Sequence, residues 1–429
     1  MRFSKEFVTE VKHSVDLVKL VNESLDLKKA GKNFLGLCPF HPDQSPSLRV
    51  FASVNGKPGG YRCYACQANG DAFDWAKNFL NLPFYEAVIF LAQRSGVPIP
   101  VADTDSKEVM QKKRLTNLLQ RALSIYQHGL SKSKEQLESL KVTRRLTQET
   151  ISKWQLGLVS KGITPYLKAD ECLLVDSGLS GISSGHLFER LRMRITIPIY
   201  AANGFLIGFA GRRIDSSEPL NSSIPKYLNP PENLLFSKSR VLFGLNHAGS
   251  AIRKADRAVV VEGYFDVISL DQAGEPCSVA GMGTAFTAEQ FQLLTRYTKK
   301  ISFCFDGDNA GRRSAALLLK TLLPLLEDGM ELSLILLPDG EDPDSFVNQF
   351  GLNQWKKLCS DAMPLSEFIL QEVSSGQSPN SVESRVHILL QAKQLLTLVK
   401  APLFREVLSQ AISERYGVNL LEDKVHGTV

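Results

Sequence analysis

Three short stretches carry carboxylates in a pattern that suits divalent-cation chemistry: Glu262-Gly263, Asp306-Gly307-Asp308 and Glu341-Asp342-Pro343-Asp344. Each closes an apolar run (Val259–Val261, Ile301–Phe305, Leu332–Leu337) that reads as a buried strand ending abruptly. Gathered carboxylates repel one another, so a cluster without cations is costly. Oxygen-only donors on a water-accessible edge suit Mg2+ or Mn2+ and not zinc. Two such ions about 3.5–4 Å apart can activate an attacking oxygen and stabilise a leaving one in phosphoryl transfer. Gly263 and Gly307 leave room for phosphates beside the acids. One Asp-Gly-Asp is ordinary turn chemistry; acidic strand ends repeated in order are a far more specific signal.

A second constellation is Cys38-Pro39-Phe40-His41, followed after 21 intervening residues by Cys63-Tyr64-Ala65-Cys66. Three thiolates and one imidazole, presented as two tight pairs, suit tetrahedral zinc with no position open to substrate, so the zinc is expected to be structural. The stretch between the pairs reads as two strands joined by the turn around Asn55-Gly56, the layout of a zinc ribbon. If Cys63 faces the metal, strand alternation turns Arg62 and Tyr64 the other way, and Arg49 and Phe51 share one face of the partner strand. Arginines mixed with aromatics on a sheet face make a platform for single-stranded nucleic acid; ordinary half-exposed strand residues are the alternative.

The third is basic. Between Gly185 and Arg257 stand eleven Lys/Arg against five Asp/Glu, an excess of six in a chain whose whole net charge is +5. Such a concentration suits a phosphate-rich partner. Arg190, Arg192 and Arg194 recur at period two, which on a strand over Leu187–Ile199 sets three guanidiniums on one face. A hairpin is expected next, with its turn at Asn203-Gly204 and Leu206–Arg213 as its second strand. Lys226 and Lys238 follow in loops.

The elements that must position these groups follow from periodicity. Strand and helix alternate through the three acidic segments, which predicts a parallel sheet with right-handed crossovers and all the acids on one edge. Helical spacing marks Phe7–Val21, Ala72–Ser95, Val109 to about Leu140, the segment entered at Thr147, and Pro364–Tyr416 with Leu389, Leu390, Leu395 and Leu396 as core candidates. A chain of 429 residues, 43% hydrophobic and 22% charged, fits two to four globular domains. Its other cysteines are scattered in apolar surroundings and do not suggest disulfides. No window offers a membrane span, and acids among the first residues exclude a signal peptide, so a cytoplasmic protein is expected.

Glu262-Gly263-Tyr264, Asp306-Gly307-Asp308 and Glu341-Asp342-Pro343-Asp344 resemble the signatures of the Toprim domain of bacterial replicative DNA primases. The Cys38/His41/Cys63/Cys66 ribbon is similar to their zinc domain, and Pro225-Lys226-Tyr227-Leu228-Asn229 with Lys238 to their basic core motifs. The resemblance runs from Val15 to about Met363. It implies a nucleotidyltransferase that makes short RNA primers on single-stranded DNA from ribonucleoside triphosphates. By that resemblance Glu262, Asp306 and Asp308 hold Mg2+ or Mn2+, and Asp266, Asp342 and Asp344 support or share the site. Arg144, Arg192, Arg194, Arg212, Lys226, Tyr227, Asn229 and Lys238 contact nucleotide or template, and the ribbon face of Arg49, Phe51, Arg62 and Tyr64 reads the template.

The implied fold is a multidomain α+β and α/β assembly. It comprises a zinc ribbon (1–102), a linker (103–110), a mixed basic subdomain (111–255), a Rossmann-like Toprim parallel sheet (256–340) and a helical subdomain (341–429). Arg145 and Gln67 stand where the family usually has glycine, and Leu191 where it has phenylalanine. The expected partners are single-stranded DNA, ribonucleotides and, by resemblance, a replicative helicase, for a chain acting as a monomer at the replication fork. The usual helicase-binding domain is expected to be missing, because the last helices read as the end of the core. The alternatives are a Toprim nuclease or topoisomerase, which needs a tyrosine nucleophile in a further domain, and a non-catalytic single-strand-binding protein.

Overall fold

The computed structural model describes residues 3–417 and 420, apart from 42, 44, 55–56, 81, 83, 100–105, 160–161, 215–223, 284–285, 308 and 375–379. The first unit opens with α1 (Lys5–Ser14) and α2 (Leu17–Asn22). The expected single helix breaks at Val15, after which the Asp16 carboxylate accepts the Lys19 N–H at 3.1 Å and caps α2. Five antiparallel strands follow in sequential order: β1 (Lys28–Ala30), β2 (Asn33–Gly36), β3 (Leu48–Phe51), β4 (Gly60–Cys63) and β5 (Asn69–Gly70). The run 72–95 divides into α3 (Ala72–Asn78) and α4 (Phe84–Ser95), and α3 starts at a reciprocal Asp71/Asp74 capping box. Fully buried Trp75 stacks on Phe79 and meets Phe40 and Tyr61 edge-on, with ring centroids 4.6, 5.6 and 5.2 Å away. Burying a side chain of that size contributes about 3–5 kcal/mol, which lets so small a sheet hold its shape.

The second unit begins on a long helix, α5 (Ser106–Lys132), so residues 106–110 of the expected linker are its first turn, and 103–105 lie outside the described residues. Then come α6 (Lys134–Val142), α7 (Gln148–Lys153), β6 (Gly157–Val159), α8 (Thr164–Leu167) and α9 (Glu171–Asp176). The hairpin β7 (Ser180–Ser183) and β8 (His186–Glu189) follows, then β9 (Arg194–Tyr200), β10 (Leu206–Arg213) and β11 (Tyr227–Leu228). The antiparallel sheet runs β11-β10-β9-β6, and the predicted hairpin is β9–β10.

The arginine-rich strand is corrected. Residues 190–193 form a turn, and Met193 has φ 56 and donates its N–H to the Val159 carbonyl at 2.6 Å. The cause is topological: β8 pairs with β7 and β9 with β6 and β10, so the chain changes sheets between them. Arg190 is consequently half-buried, Arg192 exposed and Arg194 buried, and no shared face exists.

The third unit is the parallel sheet. Helix α10 (Leu245–Ala255) leads to β12 (Ala258–Val261), α11 (Tyr264–Ala273), β13 (Ser278–Ala280), α12 (Ala288–Leu294), β14 (Lys300–Phe305), α13 (Asn309–Leu322), β15 (Glu331–Leu336), α14 (Pro343–Ser360) and β16 (Met363–Pro364). The order is β13-β12-β14-β15-β16, parallel except for β16. Strand β13 is too short for periodicity to reveal. Helix α14 kinks at Gly351, whose φ is 78.

Helices α15 (Leu365–Ser374), α16 (Val382–Leu398) and α17 (Pro402–Tyr416) share one core with β14 and β15, through Phe368, Ile388, Ala392 and Ile412 against Phe303 and Leu334. The buried stripe of α16 is Ile388 and Ala392. Leu389, Leu395 and Leu396 only border it, and Leu390 faces solvent, which corrects the expected register. Among the described residues no helix is long and apolar enough to cross a membrane.

Candidate active site and zinc centre

The ribbon brings its four expected ligands together: one donor atom from each of Cys38, His41, Cys63 and Cys66 lies within 4.8 Å of the others. The Cys38–Cys66 sulfur separation is 3.7 Å, the edge of a tetrahedron with Zn–S bonds of about 2.3 Å. Cys63 Sγ is 3.9 Å from His41 Nδ1, while His41 Nε2 faces Asp43 Oδ1 at 3.8 Å. The carboxylate lies behind the imidazole, on the side away from the sulfurs. Asp43 also accepts the Cys38 N–H (2.7 Å) and the Ser47 hydroxyl (2.6 Å), and Ser47 Oγ lies 3.2 Å from Cys63 Sγ, which ties the two ligand turns together.

Burial raises the Cys63 thiol, but the Ser47 hydroxyl and the N–H groups of Cys66 and Ala65 outweigh it and bring it down to about 6. Cys38 is pushed up, chiefly by burial and also by the two neighbouring sulfurs. Sulfurs packed this closely with N–H donors fit a divalent soft cation, and zinc bound here would cross-link the two turns.

On the opposite face the register aligns Lys28, Leu35, Arg49, Arg62 and Asn69 across all five strands. The Arg49 and Arg62 guanidiniums stand 4.9 and 5.5 Å from the Tyr64 ring centre, and Tyr64 is 51% exposed. Phe51 lies on the same face, half-buried. Lys28 and Asn69 were not expected there, since only strand pairing places them in the row.

The parallel sheet sets Glu262, Asp306 and the Pro338–Asp344 loop on its C-terminal edge. Gly307 makes the last approach possible: a Cβ there would come within 1.9 Å of the Pro338 carbonyl, and the Gly307 N–H donates to Glu341 O at 3.2 Å. Glu262 is exposed and Asp306 half-buried, whereas Asp308 lies outside the described residues. Asp266 is 8% exposed and folds back to accept the Gly263 N–H at 2.8 Å. Burial, then Asp342 and Asp306, push its carboxyl up to about 8 against that hydrogen bond. Among the described residues, only the Cys/His group has metal-donor atoms already converged.

Two acids of the last loop serve the fold. Asp342 caps α14 by accepting the Ser345 N–H at 2.7 Å. Asp344 is buried and accepts from Arg144 (2.9 Å), Ser269 (2.6 Å) and Asn348 (2.8 Å). Arg144 therefore joins the basic unit to α14. Arg145 beside it has φ 52, and Gln67 in the ribbon has φ 63. Both adopt the left-handed backbone that favours glycine, held at Arg145 by its bond to Asn348 O (3.0 Å) and by Gln272 (2.9 Å) on its carbonyl.

Arg212 meets the same edge. It donates to the Tyr227 hydroxyl at 2.9 Å and lies 5.2 Å from the Phe265 ring, over which Arg144 also stands at 5.3 Å. Phe265 is thus a shared cation platform that the motifs did not reveal, because nothing local separates it from an ordinary core aromatic. Lys226 is exposed beside the Tyr227 ring at 5.9 Å, and Lys238 is half-buried in a single 3-10 turn. Arg194 is turned inward, 3.4 Å from the Gly211 and Lys226 carbonyls, so it braces β10 and the Lys226 segment. Arg192 projects from the 190–193 turn. Asn229 hydrogen-bonds Tyr264 and Met282.

Family models match along the chain: a CHC2 zinc finger over residues 3–107, the DNA primase catalytic core N-terminal domain over 125–249, a Toprim-like domain over 259–347 and the DnaB-helicase binding domain of primase over 366–420. The last match overturns the expectation that a helicase-binding segment is missing. Apolar helical spacing marks α15–α17 as the end of the core, and they do pack on the sheet, but such packing does not preclude a binding role. A DNA primase of Neisseria meningitidis is 35% identical over 426 residues, covering 96% of this chain and 70% of its own. The Aquifex aeolicus primase zinc-binding and RNA polymerase domains superpose with a TM-score of 0.63 at 29% identity, covering 96% of this chain and 97% of that one. A DnaG primase catalytic domain bound to ssDNA gives 0.66 at 32% identity, over 72% and 98%. With ribbon, basic unit and parallel acidic sheet in the same order as in these relatives, the chain belongs to the bacterial DNA primase family.

Proposed function

We propose that this primase carries out nucleotidyl transfer at the C-terminal edge of its parallel sheet, with Glu262, Asp306 and Asp308 holding Mg2+ or Mn2+. Divalent cations there supply neutralisation of the triphosphate and activation of the attacking hydroxyl. The observation that carries the reading is the meeting of Arg144 and Arg212 on Phe265, which brings cations of the basic unit to the acidic edge. Lys226, Lys238 and Arg192 supply phosphate or template contacts around it, and Arg194 acts through the Lys226 segment it braces. Asp266 organises the Gly263 turn behind Glu262, while Asp342 and Asp344 set the start of α14.

Single-stranded template runs over the Arg49, Phe51, Arg62 and Tyr64 face, with bases stacking and phosphates pairing. A relative bound to ssDNA supports this choice of template. The functional units are the ribbon (1–102), the basic unit (111–255), the Toprim unit (256–340) and the helical unit (341–429), which meets a replicative helicase in the cytoplasm.

The test is primer synthesis on single-stranded DNA with labelled ribonucleotides and Mg2+. Native protein is expected to give product, and Glu262→Gln and Asp308→Asn almost none, with their thermal unfolding unchanged. Undiminished synthesis by both variants would sink the assignment.

A further inference from the structure

Strand β11 is two residues long and pairs with β10 alone, through Arg212–Tyr227 and Gly211–Leu228. It nevertheless carries Tyr227, the hydroxyl that receives Arg212. Its ladder cannot lengthen past Asn229 through N–H donors, because Pro230 and Pro231 follow and have none. An edge strand this short needs another anchor, and Asn229, between strand and prolines, supplies it.

Both ends of the Asn229 amide are engaged across the boundary with the parallel sheet. Its Oδ1 accepts the Tyr264 hydroxyl at 2.5 Å, and its Nδ2 donates to the Met282 carbonyl at 2.7 Å. Tyr264 and Met282 are buried, at 5% and 0% exposure, so neither partner can turn to water instead. Tyr264 opens α11 two residues after Glu262, and Met282 follows β13, the strand beside β12. Gly283 lets that loop come close, since a Cβ there would lie 3.0 Å from Asn229 Nδ2. The Tyr264 ring is itself held edge-on to Phe243 at 4.8 Å, and the Phe243 backbone is doubly bonded to Ala280 at the end of β13.

We propose that Asn229 is a positioning residue for nucleotidyl transfer: its amide bridges Tyr264 and Met282 and so registers β11, with Tyr227 and Arg212, against the edge that bears Glu262. The proposal rests on the primase reading but assigns Asn229 a different part from the nucleotide or template contact that family resemblance gives it. A direct contact needs amide atoms turned toward substrate, whereas these are turned toward the protein. The bridge makes the geometry of the cations depend on a hydrogen bond that touches no reactant.

The discriminating experiment is a double-mutant cycle of Asn229→Ala and Tyr264→Phe in the full chain, read as kcat and KM for ribonucleotide in Mg2+-dependent primer synthesis well below the unfolding temperature. Either change opens the same bridge, so each single variant is expected to lower kcat/KM roughly tenfold, and the double variant no further. Asn229→Asp, which keeps the acceptor for Tyr264 but sets an oxygen against the buried Met282 carbonyl, also opens the bridge and is expected to be no more active than Asn229→Ala.

Independent effects that multiply in the double variant overturn the proposal. So does a rise in KM caused by Asn229→Ala alone, which marks a direct contact, or full activity per folded molecule in both variants. Native protein that makes no primer counts against the primase reading instead. The bridge is then judged by the same cycle in segment-resolved hydrogen exchange at β11 and the start of α11, where additive changes in protection overturn it.

Discussion

Replacing Asp344 by alanine asks whether a carboxylate of the acidic edge holds metal or holds the fold. The side chain keeps 10% of its surface exposed and accepts from Arg144, Ser269 and Asn348 at 2.9, 2.6 and 2.8 Å. Breaking a buried charged pair by removing one partner costs about 3–5 kcal/mol. Arg144 keeps 22% of its side-chain surface and can turn partly to water, which favours the lower end. A loss of about 3 kcal/mol corresponds to roughly a hundredfold faster amide exchange wherever the local opening depends on it. A chain of several units does not unfold in one step, so the assay is hydrogen exchange resolved to segments. The expected acceleration is confined to the start of α14 and the middle of α11, where Ser269 lies. Primer synthesis should fall because Arg144 loses its anchor, while the Mg2+ concentration for half-maximal rate stays as in native protein. Unchanged exchange in both helices, combined with a raised Mg2+ requirement, would refute the reasoning and make Asp344 a metal ligand.

Two other outcomes follow from the same geometry. Asp266 has its carboxyl pushed up to about 8 by burial and by Asp342 and Asp306, so in metal-free protein the folded state holds a proton that the unfolded state releases near pH 4. Stability from this group is therefore complete below about pH 4 and is lost as pH rises toward 8. Asp266→Asn should be more heat-stable than native at pH 8 without divalent cations, with the gap closing by pH 4; a gap independent of pH would contradict this. Native protein should bind one zinc per chain, and Cys63→Ser should lose it along with the protection of β3 and β4, as read by metal analysis and hydrogen exchange; equal zinc in both proteins would refute the centre.

Much of the site was legible because its signals are local. Cys38, His41, Cys63 and Cys66 converge as their spacing requires, and the acidic strand ends share one edge because strand–helix alternation permits little else. Arg145 and Gln67, expected positions of glycine, both adopt a left-handed backbone. Where periodicity was read without knowledge of pairing, it misled: Arg190, Arg192 and Arg194 alternate perfectly, yet they straddle a change of sheet.

By itself the sequence determined the ligand types, the order of the units and the edge on which the acids emerge, because each of these depends on neighbours within a turn or a strand. Tertiary structure alone decided which acids face water and which brace the fold. Arg144 and Asp344 are 200 residues apart, and the Asn229 bridge and the cation platform at Phe265 likewise join separate units. A side chain with two chemically sensible uses is assigned one of them only when a distant partner arrives, and short-range pattern does not record which partner that is.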